Sequence, residues 1–180
     1  MLFRSVGRYR DWGAGWHLEL AESGGGTALN LGIHFYDLVH DLAPSASWEV
    51  VGAAIGREFA HEEIDDLGLV LLRGGRSIAS IETGYLPNSP REFIIEAVVG
   101  EDHYRWTADD RKVVARLGDG RVVTADGGLD QADFYPAFVQ DTIRRVREGE
   151  PPATGLDELV RALRLVERAY RLSGDERSLA

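Results

Sequence analysis

The apolar residues of this chain change period twice, from the repeat of a helix to that of strands and back, and this order constrains its fold most. Trp48 to Arg57, Leu67 to Arg73, Arg76 to Tyr85 and Glu92 to Val99 are short runs rich in Val, Ile and Leu. Gly74-Gly75 joins two of them as a hairpin. Shorter strand candidates follow at His103 to Thr107, Lys112 to Leu117 and Arg121 to Thr124, separated by the turn formers Asp109-Asp110 and Gly118-Asp119-Gly120. A further strand is expected at Leu2 to Arg10.

On either side the spacing is helical. Leu31, Phe35, Leu38 and Leu42 form one stripe on a helix from Thr27 to Leu42, stopped by Pro44. Phe134 to Glu148 is a second helix. Leu156 to Leu172 is a third, with Leu156, Leu159, Val160, Leu163, Val166 and Tyr170 expected inward and Thr154 and Asp157 as a capping box. Helix, hairpin-connected strands, then helices implies an α+β layer: a largely antiparallel sheet of about six strands with helices on one face. The other face is expected to serve self-association.

At 180 residues, with 44% hydrophobic and 28% charged, the chain reads as a single globular domain over 1–180. Its net charge of −10 repels phosphate backbones and anionic lipid, so neither nucleic acid nor a membrane surface is an expected partner. Arginine is abundant while Lys112 is the only lysine, so an anionic ligand would be gripped by guanidinium groups. The absence of cysteine excludes thiol nucleophiles, disulfides and cysteine-ligated metals. No apolar run reaches the ~20 residues of a membrane span and the start lacks a signal-peptide core, so a cytoplasmic location is expected. His61-Glu62-Glu63 with Asp65-Asp66 imitates a metal site, but such acidic loops are usually solvated and no metal is expected.

The segment Ser23-Gly24-Gly25-Gly26-Thr27-Ala28-Leu29-Asn30-Leu31-Gly32-Ile33-His34-Phe35-Tyr36-Asp37 carries the chemistry. The plain reading makes the glycines a turn and Asn30, His34, Asp37 and Asp41 the solvated face of an amphipathic helix. A sharper reading notes that Asn30 and His34 lie one helical turn apart and project from one face. An amide that donates and accepts, beside an imidazole that titrates near neutrality, can orient a sugar hydroxyl and take its proton.

The string GGGTALNLGIHFYDL resembles the signature G-G-G-x-x-x-D-x-G-x-H-x-x-D that opens the C-terminal domain of the glucose-fructose oxidoreductase, inositol dehydrogenase and MocA family. Asp65-Asp66 ahead of Leu67 to Arg73, the following hairpin and a last helix ending Glu167-Arg168-Ala169-Tyr170-Arg171-Leu172-Ser173 keep that domain's order, so the resemblance covers nearly the whole chain. It implies that Asn30 binds the sugar and that His34 acts as general acid/base, with Gly24, Gly25, Gly26 and Asp37 structural. Asn30 stands where many members have Asp, which puts a proton relay through this position in doubt, since an amide cannot take up a proton as a carboxylate does. The asparagine, with Trp16 before the glycines, resembles the branch that oxidises the 3-position of UDP-N-acetylglucosaminuronate. Trp16 is accordingly expected on the ligand; apart from the resemblance, Arg10, with Arg8 on the first strand, is a candidate to face an anionic substrate, although arginine on a strand edge is more often protective. The resemblance also implies a homodimer through the open sheet.

The family's G-x-G-x-x-G turn and its Glu-Lys-Pro motif are both missing from this sequence. Read by the resemblance, the chain starts at an internal domain boundary and lacks the dinucleotide-binding domain. The expectation is the substrate-binding half of a sugar or nucleotide-sugar oxidoreductase, binding no cofactor by itself and dependent on NAD or NADP held by a separate or missing domain. The alternative is a stand-alone sugar-binding or dimerisation module.

Overall fold

A computed structural model describes residues 1–7, 16–44, 46–58, 63–86, 92–108, 111–126 and 131–175, with the side chains of residue 17 and of residues 131–134 left undescribed. In chain order the strands are β1 (Leu2–Gly7), β2 (Trp48–Gly56), β3 (Leu67–Gly74), β4 (Ser77–Tyr85), β5 (Glu92–Val99), β6 (Asp102–Thr107), β7 (Lys112–Arg116) and β8 (Val122–Asp126). They form one sheet in the order β2-β3-β4-β1-β5-β6-β7-β8. Every neighbouring pair is antiparallel except β1 with β4, which run parallel, Phe3 opposite Ile81 and Gly7 opposite Tyr85. The expected α+β class stands, with eight strands among the described residues instead of about six, because all three short candidates extend the sheet beyond β5.

The β3–β4 hairpin turns at Gly75 with φ +59°, as the glycine pair predicts, and Trp48 lies so close to Gly74 that a Cβ there would sit 2.8 Å from its ring. The helices are α1 (Leu20–Ser23), α2 (Thr27–Asn30), α3 (Gly32–Leu42), α4 (Gln131–Glu148) and α5 (Leu156–Ser173), preceded by a 3-10 turn at Trp16–Leu18. α2 and α3 replace the single expected helix. Leu31 between them keeps helical torsions and donates to the Thr27 carbonyl, so the path continues through the joint.

The core lies between α2, α3 and α5 and one face of the sheet. Val70, Leu72, Ala79, Ile81 and Phe3 alternate along the strands beneath Phe35, Tyr36 and Val39 of α3 and Ala162, Val166, Ala169 and Tyr170 of α5. Phe3–Phe35 and Phe35–Phe93 pack as tilted pairs and Phe93–Trp106 edge to face, at 5.5, 5.1 and 5.4 Å between centroids, carrying the core from α3 across to β6.

Both helical stripes are rotated from expectation. On α3 the buried positions are Gly32, Phe35, Tyr36 and Val39, while Leu42 is exposed. On α5 Leu156, Leu159, Val160 and Leu163 face outward, and Ala162, Leu165, Val166, Ala169 and Tyr170 face in. The two alanines let α5 lie close against β2 and α3, a fit that leucine volume would prevent. The cap of α5 also shifts by one residue: Glu158, not Asp157, reaches back to accept the Gly155 N–H at 2.8 Å, and Gly155 takes the place expected for Thr154. The open face exposes Leu69, Leu71 and Ile78 beside charged pairs such as Arg4 between Glu82 and Glu92, and α4 holds Tyr135, Phe138, Ile143 and Val146 in solvent. No helix among the described residues is long and apolar enough to cross a membrane.

Candidate functional site

The site helix starts from a turn that only glycine permits. Gly24 closes α1 in the left-handed region at φ +72°. A Cβ on Gly25 would stand 2.5 Å from the Tyr170 hydroxyl, and one on Gly26 would stand 1.8 Å from the backbone oxygen of Asp65. Gly25 and Gly26 therefore let α5 and the segment entering β3 close directly onto the beginning of α2.

What fills that space is Asp65, which has no exposed surface. Its Oδ1 accepts from the Gly26 N–H at 2.7 Å and from the Tyr170 hydroxyl at 2.6 Å. Its Oδ2 accepts from the Ala28 N–H at 2.7 Å and from the Thr27 hydroxyl at 3.3 Å, and its backbone oxygen takes the Thr27 N–H at 3.0 Å. A carboxyl group thus caps the helix start from 39 residues away in sequence and ties it to the last helix. Burial, then the charge of Asp65, pushes the Tyr170 phenol far above its usual range, and Tyr36 rises for the same reasons.

Asp66 extends the anchorage. Its Oδ1 accepts from the Glu58 N–H at 2.9 Å, and its backbone oxygen accepts from the Tyr85 N–H at 2.8 Å. The end of β4 is thereby fixed beside α2, where the Tyr85 side chain, buried at 3% exposure, is hydrogen-bonded to Asn30. Burial pushes the Tyr85 phenol up to about 12, and the hydrogen bond with Asn30 opposes that rise.

Of the residues expected on the ligand, the structure brings Asn30 and His34 to one stretch of helical surface: Asn30 ends α2 half-buried, and His34 lies exposed one turn later on α3. Asp37 is half-buried one turn beyond His34, and its charge acts on His40, whose pKa burial and Arg161 hold down. Trp16 occupies the 3-10 turn at 51% exposure. Arg10, like Arg8, lies outside the described residues, as do His61 and Glu62 of the acidic loop. Asp65 and Asp66 of that loop are buried helix and strand anchors, not a solvated run, and no group of three or more metal-binding side chains occurs among the described residues.

Sequence reasoning placed Asp65 only as a marker before a strand and Tyr170 only as a core residue, and it passed over Tyr85. No local spacing reports a carboxyl that caps a distant helix. A groove of about 720 Å³ on the sheet, lined by Arg4, Ala54, Leu69 and Glu82 among others, is separate from Asn30 and His34.

Residues 3–179 match the model of the oxidoreductase family, C-terminal alpha/beta domain. No curated protein matches the sequence. Among solved structures, an oxidoreductase from Agrobacterium radiobacter in complex with NAD+, L-tartaric acid and magnesium superposes with a TM-score of 0.77 at 16% identity, over 97% of this chain and 55% of that one. An aldose-aldose oxidoreductase from Caulobacter crescentus complexed with glycerol gives 0.77 at 17% identity, over 97% and 52%. The WlbA dehydrogenase from Bordetella pertussis in complex with NADH and UDP-GlcNAcA gives 0.69 at 22% identity, over 97% and 52%. At these identities the likeness is one of fold, and the chain spans about half the length of each structure it resembles.

Proposed function

The chain belongs to the oxidoreductase family that this C-terminal alpha/beta domain defines, and from that premise we propose that it forms the substrate-binding half of a nicotinamide-dependent sugar or nucleotide-sugar oxidoreductase. The observation that carries the reading is the Asn30–His34 pair on a helix start anchored by Asp65, Tyr170 and Tyr85. Such a start has little freedom to shift when a ligand arrives, which is what orientation of a reacting hydroxyl requires. In this reading Asn30 holds a sugar hydroxyl, His34 takes its proton as general base, a role that contributes ~10² to 10⁴-fold, and Trp16 and Arg10 line the ligand. The asparagine favours a UDP-N-acetylglucosaminuronate-type substrate.

The glycine turn does not fit a dinucleotide. A pyrophosphate seat needs unpaired backbone N–H groups at a helix start, but those of Gly26, Thr27 and Ala28 already donate to Asp65, and the gap that the glycines leave is filled by Asp65 and Tyr170. A phosphate there would also face a buried acid. NAD or NADP for the complete enzyme therefore belongs to a separate dinucleotide-binding domain, covering the part of the relatives' length that this chain leaves unmatched. Self-association runs through the open sheet face, where Leu69, Leu71 and Ile78 are exposed. Calorimetry of the chain with NAD and with NADP checks the division of labour: heats too small for micromolar affinity are expected, and a micromolar Kd for either would overturn it.

A further inference from the structure

We propose that the dinucleotide-binding domain docks on the outward stripe of α5 and on the groove that continues this stripe to the start of α2, with the apolar face of α4 closing on the same domain. The inference rests on the division of labour proposed above and adds to it the surface through which the two halves meet.

On α5, Leu156, Leu159, Val160 and Leu163 are each at least 40% exposed and turn away from the core. The stripe leads into a groove of about 440 Å³, where Val160, Leu163, Val166 and Tyr170 of α5 meet Gly24 and Leu29 at the start of α2. Leu29 directly precedes Asn30, so a body seated in the groove lies beside the site helix. Arg164 lines the groove as well, exposed and in no ion pair among the described residues, and it offers a guanidinium to a carboxylate of the partner.

Helix α4 also needs a cover. Val139, Ile143 and Val146 follow one another along one face, all exposed, and the helix has no extended contact with the sheet or with another helix among the described residues. An amphipathic helix of 18 residues draws most of its stability from laying such a face on a partner.

Two apolar surfaces are thus open to a second domain, the α5 stripe and the sheet face with Leu69, Leu71 and Ile78. They differ in what they can reach. The sheet lies between its open face and the layer of α2, α3 and α5 that carries Asn30 and His34. Hydride transfer requires reacting atoms about 3–3.5 Å apart, and a nicotinamide held on the open face would be kept from the site by the whole sheet. A domain on α5 meets no such barrier, and the structures that this chain resembles extend over about as much chain again.

In cells that produce the protein, a photocrosslinking residue placed singly at Leu163, Ile143 and Leu71 of the full chain tests the assignment by mass-spectrometric mapping of the linked peptides. Links from Leu163 and from Ile143 are expected to fall in a domain that contains a G-x-G-x-x-G turn, while Leu71 gives no link to that domain. Leu163→Asp, at an exposed position, is expected to change thermal unfolding little and to lower the yield of the Ile143 link about 10-fold or more, because it places an unpaired charge in the contact. A second copy of this chain, a domain without that turn, or no partner at either Leu163 or Ile143 would overturn the proposal. If the dinucleotide-binding domain links only at Leu71, the docking surface is wrong and the division of labour stands; if it links at none of the three, both fall.

Discussion

Gly26 and Asp65 meet at a distance that leaves no volume for a side chain, and this contact sets how firmly the site helix begins. A methyl group placed 1.8 Å from a backbone oxygen cannot be relieved by rotating a side chain, so the turn or the segment entering β3 must move. Moving it breaks the bonds from Gly26 and Ala28 to Asp65 and strands buried donors, each worth ~1–3 kcal/mol. Gly26→Ala is therefore expected to lose about 3 kcal/mol or more of stability in urea unfolding, whereas Gly75→Ala, which meets no atom within 4 Å, carries only the strain of its positive φ. Equal losses in the two variants would contradict this. The glycines are legible in the sequence as a turn, and Gly24 is explained by its positive φ, but the reason for Gly25 and Gly26 lies in Tyr170 and Asp65, which no local pattern connects to them.

Among the elements, strands were more legible than helix faces. β-alternation has a period of two, so the buried set of β3, Gly68, Val70, Leu72 and Gly74, follows once one residue is assigned inward. Helices α3 and α5 each carry two overlapping apolar stripes, and the core takes the one containing Ala162 and Ala169, because close approach to β2 outweighs leucine volume. Leu156, Leu159 and Leu163 of α5 match a core stripe by spacing yet stand exposed, because hydrophobicity alone does not choose between two stripes. On the sheet, Leu71 sits exposed on β3 with Ser80 of β4 opposite, on the face away from α2, α3 and α5. If the open face joins two copies, Leu71→Glu buries an unpaired charge in that contact and is expected to convert a dimer to monomer in light scattering at micromolar concentration. A wild-type monomer, or a dimer untouched by Leu71→Glu, would count against the sheet as the contact.

At the scale of the molecule, the chain spans about half the length of the structures it resembles and folds around one anchored helix start. The α+β class and the glycine-led motif could be read in advance because they depend on period and on local turn chemistry. The anchoring network could not, because Asp65 and Tyr170 are 105 residues apart and meet only when the sheet and α5 close. The central claim is that this helix start receives a sugar hydroxyl at Asn30 and His34. Titration of the isotopically labelled chain with UDP-N-acetylglucosaminuronate, followed on the Asn30 amide and the His34 imidazole, tests it most directly. The account predicts saturable shifts at both residues, with those of His34 needing more ligand to saturate in Asn30→Ala, and saturable shifts confined to the sheet groove around Arg4 and Glu82, with Asn30 and His34 unmoved, would contradict it.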